Sequence, residues 1–255
     1  MKKGEIKMAL TILNEMWTNG YQKIMDNPEH KAFHDEAVGM ASEEFRKLPY
    51  EELRKREFLF IPNDEYMALM FGHEIMDPVY GLYKGEYCTM LHRIIFPIRG
   101  FNNQVVAIGG WTDESEYKYV YSPSSLWSKE RYLYIQPEEF KQALIDGYLI
   151  IVDGIFDAIS LNHLGLHAGS LMGSKLSNWH QQYFKLIKHI VVIPDNDNAG
   201  LVLARKIKRV RSDALIIWQD KFKDIDDYIK GADTSTLLKT FNNLEVMSML
   251  GKKLI

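Results

Sequence analysis

The stretch YLIIVDGIFDAISL, residues 148–161, reads as a strand that ends on an acid and turns at once into a helix. Tyr148–Val152 is a nearly unbroken apolar run, and Ile190–Ile193 within HIVVIPDNDNAG is a second. Such β-branched runs mark strands buried on both faces of a parallel sheet. Carboxylates follow each: Asp153 and Asp157 after the first, Asp195 and Asp197 after the second, while Asp224, Asp226 and Asp227 stand in KFKDIDDYI. Open α/β sheets gather functional groups just past the carboxyl ends of their strands. Three acidic groups delivered to one edge repel each other, and hard divalent cations relieve that repulsion because they take oxygen ligands and keep waters. Asp157 is one helical turn beyond Asp153, so both can face that edge. Asp195 and Asp197 share a side at strand-like spacing. The pattern predicts metal-dependent phosphoryl chemistry. The competing use of the same residues is as helix caps and turn formers, which aspartate also favours.

Outward from this stretch the chain alternates regularly. Strands are expected at 148–153, near 167–171, at 189–194 and at 214–218, with helices at 155–164, 176–187, 198–209 and 234–248. The fold class is therefore α/β, a small parallel sheet flanked by helices. Upstream, Pro137 opens a helix that stops near Gly147. HRIIFPIRG and QVVAIGGW read as a hairpin turning at Gly100–Asn103, with Tyr119–Tyr121 as a further strand. Residues 1–56 read as helical: Ile6, Leu10, Leu13 and Trp17 share one face, and a second helix opens at Asn27-Pro28 with Phe33, Ala37, Met40 and Phe45 as its expected buried stripe. The expected domains are a helical segment 1–56, a mixed α+β basic subdomain 57–147, a metal-binding subdomain 148–232 and a C-terminal helix 233–255.

At 255 residues and 46% hydrophobic content the chain can bury at least one full core. Cys88 is the single cysteine, so neither a disulfide framework nor a four-cysteine zinc site can form within the chain, and no zinc is expected. The eight histidines show no ligand spacing; His163, His167, His180 and His189 read as surface or capping residues. No stretch approaches the ~20 apolar residues of a membrane span, and the lysine-bearing N-terminus is interrupted by Glu5 and Glu15, so a cytoplasmic protein is expected. The net charge of −3 conceals a basic remainder: without the seven clustered aspartates the rest carries +4, which permits a polyanionic partner.

RIIFPIRG, VVAIGGW, KYVYSPSS, WSKERYLY, IIVDGIFDAISL, PDNDNAG and DIDDYI stand in one order over about residues 90–230, and together they resemble the bacterial DnaG-type primases, specifically the RNA-polymerase core with its TOPRIM fold. The resemblance implies catalytic acids at Asp153, Asp195 and Asp197, and metal ligands at Asp153, Asp157, Asp195, Asp197, Asp224 and Asp226 for two Mg2+ or Mn2+ ions. It implies that Arg93, Arg99, Lys118, Lys129 and Arg131 hold template and nucleotide. The implied activity is template-directed synthesis of short RNA primers from ribonucleoside triphosphates on single-stranded DNA. Alternatives are a TOPRIM nuclease that hydrolyses phosphodiesters and a non-catalytic DNA- or replisome-binding remnant. One departure stands out. The family has glutamate where this chain has Asp153, which retracts the carboxylate by ~1.5 Å, a displacement that matters in a preorganised site. No zinc ribbon or helicase-binding tail is evident, so the resemblance implies a reduced version of the kind found in phage or plasmid systems, working in the bacterial host cytoplasm. A replicative helicase or a zinc-bearing partner, docking on residues 1–56, would supply localisation. Tyr119 and Tyr121 could stack on bases or pack in a strand, and GSLMGSKLS (169–177) could cradle a phosphate or form a plain turn.

Overall fold

The computed structural model describes residues 3–41, 48–84, 87–173 and 175–218, together with Ile225 and Ile229. The chain divides into two compact units, residues 1–129 and 130–255. The division falls after Lys129, upstream of the 147/148 boundary expected from the sequence. The helical segment 1–56 shares its core with the strands that follow it.

In the first unit, α1 (Lys3–Asp26) buries Leu13, Trp17 and Ile24, spaced to one face of a helix. The strands are β1 (Leu59–Ile61), β2 (Tyr83–Lys84), β3 (Tyr87–Cys88), β4 (Arg93–Arg99), β5 (Val105–Trp111) and β6 (Tyr119–Tyr121). Four of them form an antiparallel sheet in the order β1-β4-β5-β6, while β2 and β3 make a separate small ribbon. The buried face of α1 packs in one core with Ile95, Val105 and Ile108 of this sheet. The β4–β5 hairpin turns where expected. Gly100 N–H donates to the Gln104 carbonyl at 2.9 Å, and Asn103 takes φ +63°, which asparagine tolerates better than most residues. β1 is three residues long, too short to give a periodic signal, and has no counterpart in the expected elements. One face of α1 is thus a packing element of this core.

The second helix, α2 (Pro28–Ala41), starts as expected, with the Asn27 side chain accepting from Glu29 and His30 N–H. Its buried face is not the expected one. His34 and Val38 turn inward, whereas Phe33 and Met40 are exposed and Phe45 lies outside the described residues. The reason is a specific hydrogen bond: His34 Nδ1 accepts the Phe60 N–H of β1 at 3.1 Å. Burial pushes His34 down to about 4, which keeps the ring a neutral acceptor at pH 7. Phe33 packs outside it against Phe60 and Tyr66. This unit also holds two short α-helices, α3 (Tyr50–Lys55) and α4 (Asp64–Phe71), and a 3-10 turn at His73–Met76.

In the second unit, β7 (Tyr148–Val152), β8 (Ala168–Ser170), β9 (His189–Val192) and β10 (Leu215–Ile216) form a wholly parallel sheet in the order β10-β9-β7-β8. Alternation sends Leu149, Ile151, Ile190 and Val192 to one face. There they meet Phe140 of α5 (Pro137–Asp146), Phe184 of α7 (Asn178–Leu186), and Leu203 and Ile207 of α8 (Asn198–Val210). Ile150, Val152, Val191 and Ile193 pack on the other face against Ala158 and Leu161 of α6 (Ile155–His163) and against Ile225. A sheet covered on both faces explains why its strands read as continuous apolar runs. α5 ends at Gly147, whose φ of +78° turns the chain directly into β7. The helix expected at 234–248 lies outside the described residues.

Candidate active site

From β7 the chain runs to β8 on one side and afterwards to β9 on the other, so the strand order reverses between β7 and β9. Such a switch point opens a crevice beyond the carboxyl ends of the strands, where ligands of open α/β sheets bind. Asp153 is the first residue after β7, and Asp195 comes three residues after the end of β9. Topology alone therefore brings these two acids to the crevice.

Asp153 carries the strongest electrostatic signature. Burial first, then the charges of Asp195 and Asp197, push its carboxyl up to about 7. Its Oδ1 is buried and has no hydrogen-bond partner among the described residues. A buried carboxylate oxygen without a donor is costly, and a group that strains toward neutrality while facing two further acids is configured to accept a cation. The main chain around it is firmly held. Ser170 Oγ donates to the Asp153 carbonyl at 2.6 Å and accepts from Met172 N–H at 2.8 Å, while Ser170 and Tyr134 exchange backbone hydrogen bonds. Ser170, fully buried, is a positioning residue absent from the sequence expectations; its only signal is the GSLMGS turn.

Asp197 serves two purposes. It is the N-cap of α8, its Oδ1 accepting from Gly200 N–H at 2.8 Å, so the capping use of the aspartates is real at this position. It also contributes to the field on Asp153. Asp195 and Asp197 are tied by a tight turn in which Asp197 N–H donates to the Asp195 carbonyl at 2.8 Å. This turn needs glycine beyond it, because a Cβ on Gly200 would run into the Asp195 carbonyl oxygen. Gly200→Ala is accordingly expected to cost about 2 kcal/mol, lowering the melting temperature by about 4–8 °C. An unchanged melting temperature in a thermal scan would contradict this packing.

Asp157 is buried in the first turn of α6 and folds back on the start of its own helix, its Oδ2 filling the space that a Gly154 Cβ would take. It does not figure among the charges that act on Asp153. Asp224 and Asp226 lie outside the described residues; Ile225 between them is buried against Val152 and Ile193. Among the described residues no three His, Cys, Asp or Glu side chains converge on a point where they could hold a metal. The orphaned Asp153 oxygen and an all-oxygen donor set fit a hard cation in chemistry.

The basic residues divide sharply. Arg93 is buried and spends its guanidinium on its own unit, donating to the carbonyls of Thr89 (3.2 Å), Tyr117 (3.0 Å) and Lys118 (3.2 Å). Arg99 pairs with Glu57 and donates to the Asn103 carbonyl at 2.7 Å. Glu57 also accepts from Trp17 Nε1 at 2.6 Å. Lys118, Lys129 and Arg131 are exposed; Lys129 lies 5.8 Å above the Tyr121 ring, and Arg131 lies 5.5 Å above Trp179. Tyr119 and Tyr121 stack on each other with centroids 6.2 Å apart. Arg93→Ala should therefore destabilise by about 2–4 kcal/mol because three carbonyls lose a charged donor. Lys118→Ala should leave the melting temperature unchanged. Equal melting temperatures for the two variants would contradict this division. His180 is a buried capping residue, its Nδ1 accepting from Ser177 N–H at 3.3 Å at the start of α7.

Residues 150–229 match the family model described as Toprim-like. Over 91–92% of its length the chain superposes on the Escherichia coli primase catalytic core (TM-score 0.74, 19% identity, 80% of that chain) and on a DnaG primase catalytic domain bound to single-stranded DNA (TM-score 0.70, 18% identity, 78% of that chain). The chain therefore has the fold of these primase cores, with a Toprim-like second unit. In sequence it is 25% identical to the DNA primase of Thermotoga maritima over 246 residues, 92% of this chain and 43% of that protein. It is 32% identical to the DNA primase of Legionella pneumophila over 119 residues, 45% of this chain and 21% of that protein. The chain thus spans less than half the length of these primases. Among the described residues no helix is long and apolar enough to cross a membrane.

Proposed function

We propose that the chain is a primase, a DNA-dependent RNA polymerase that joins ribonucleotides on a single-stranded DNA template, with the acid edge of its parallel sheet as the reaction centre. The observation that carries this reading is Asp153, which stands at the switch point with a buried, unpartnered oxygen and is repelled by Asp195 and Asp197. The similarity to DNA primases over 92% of the chain supports the substrate class.

Asp153, Asp195 and Asp197 would hold Mg2+ or Mn2+, with Asp157, Asp224 and Asp226 as the further acids of the set. Bound there, the metal supplies activation of a 3′-hydroxyl and neutralises charge on the leaving pyrophosphate. The protein's own part is positioning and electrostatics. Ser170 fixes the main chain of Asp153, and the Asp195–Gly200 turn fixes the other two acids at the start of α8. Exposed Lys118, Lys129 and Arg131 would each meet phosphates of template or nucleotide; Arg93 would act indirectly, by holding the main chain at Tyr117 and Lys118. A helicase or zinc-bearing partner would localise the reaction.

The test is template dependence. On an oligothymidylate template with Mg2+, labelled ATP should be incorporated and labelled UTP should not, and chelator should abolish the signal. Incorporation without template, or none with any nucleotide, would overturn the proposal.

A further inference from the structure

A second surface of the TOPRIM unit has no part in the acid edge. A shallow groove of about 360 Å³ runs along α8, lined by Leu201, Arg205, Lys208, Arg209, Ile216 and Trp218. The basic residues near the end of this helix are not equivalent. Arg211 is spent on structure, donating to the carbonyls of Ile187 (3.0 Å) and Lys188 (2.9 Å) and pairing with Asp213. Lys208 caps the Ser212 carbonyl at 3.0 Å. Arg205 and Arg209 are exposed, stand one helical turn apart, and pair with no carboxylate among the described residues. Like charges at this spacing destabilise a helix, and an anion between them removes the penalty. Helix-end dipole effects favour cations only in the last turn, which leaves Arg205 unexplained. Trp218, which lines the same groove, is 41% exposed.

We propose that this groove binds single-stranded nucleic acid, with Arg205 and Arg209 on successive phosphates and Trp218 stacked on a base. Cations along a backbone track, with an aromatic platform beside them, are what sequence-tolerant single-strand binding requires. The groove begins at Leu201, one turn after the Asp197 cap, and reaches Arg209 about 12 Å further along the helix at 1.5 Å per residue. It therefore leads away from the acid edge, and its assignment to a template or product strand rests on the primase reading.

The test is fluorescence anisotropy of a labelled oligothymidylate of about ten nucleotides, titrated with the whole chain in chelator at several salt concentrations. The double variant Arg205→Ala/Arg209→Ala should bind about tenfold more weakly, with the salt slope reduced by about one to two. Trp218→Ala should weaken binding about tenfold, with Trp218→Phe largely restoring it. Lys141→Ala, an exposed lysine of α5 outside the groove, should bind as the parent does and controls for the loss of a surface charge elsewhere. Unchanged affinity in the double variant, or an equal loss in Lys141→Ala, would overturn the proposal. Chelator keeps this measurement apart from catalysis. Binding through the groove by a chain that incorporates nothing counts against the polymerase alone, and incorporation by a chain whose double variant binds normally counts against the groove alone.

Discussion

Asp195→Asn and Asp197→Asn are each expected to lower Mg2+- or Mn2+-dependent ribonucleotide incorporation by at least about 100-fold, since small displacements in a preorganised site already cost that much. Both variants should fold. Asparagine is as good an N-cap as aspartate, so Asp197→Asn keeps the hydrogen bond to Gly200 N–H that starts α8. Asp197→Ala loses both roles and should also cost about 1 kcal/mol of stability. Comparing the two substitutions separates the cap from the charge. Full incorporation activity in the asparagine variants would remove these residues from the reaction centre, whereas a collapse of the melting temperature in Asp197→Asn would show that the cap geometry is wrong.

The second large effect is on stability and concerns Asp153. Its carboxyl is held up to about 7, above the ordinary carboxylate value, by burial and by Asp195 and Asp197. The native protein therefore keeps a proton there that the unfolded chain releases near pH 4. Stability from this group is fully present below pH 4 and is lost as pH rises through about 7. Holding a proton across that pH range corresponds to at most about 4 kcal/mol, and residual solvent contact reduces this to about 2–4. Asp153→Asn should be more stable than the parent by that order in chelator at pH 8, with the gap closing toward pH 4. Mg2+ should stabilise the parent at pH 8 and leave the variant nearly unchanged. Urea melts at the two pH values measure both effects. A parent that gains stability between pH 4 and 8 relative to the variant would show that Asp153 is not under the stated repulsion.

How much of this was legible in the sequence depended on how far each signal was local. Buried parallel strands announce themselves as apolar runs, so β7 and β9, and with them the places of Asp153 and Asp195, could be read directly. Pro137, Gly147 and Asn27-Pro28 marked helix ends through their own backbone chemistry. What failed was long-range. The inward face of α2 is set by one hydrogen bond from His34 to a strand 26 residues away, which no helical periodicity encodes. Arg93 and Arg99 looked like nucleic-acid contacts because the resemblance assigns them to template and nucleotide. Their partners are carbonyls and a glutamate up to 42 residues distant in the chain. Ser170 was hidden for the same reason: its hydroxyl matters only because β8 lies beside β7 and brings it to the Asp153 carbonyl. Asp224 and Asp226 lie outside the described residues, so their place in the acid set stays an expectation from the resemblance.

The most direct measurement is the length of a 5′-labelled RNA primer annealed to a DNA template, incubated with the chain, ribonucleoside triphosphates and Mg2+. Primers that lengthen in steps dictated by the template, in the parent and not in Asp195→Asn or with chelator, are the predicted result. Primers that shorten would assign the same acids to phosphodiester hydrolysis, and primers of unchanged length would contradict a catalytic role for the acid edge altogether.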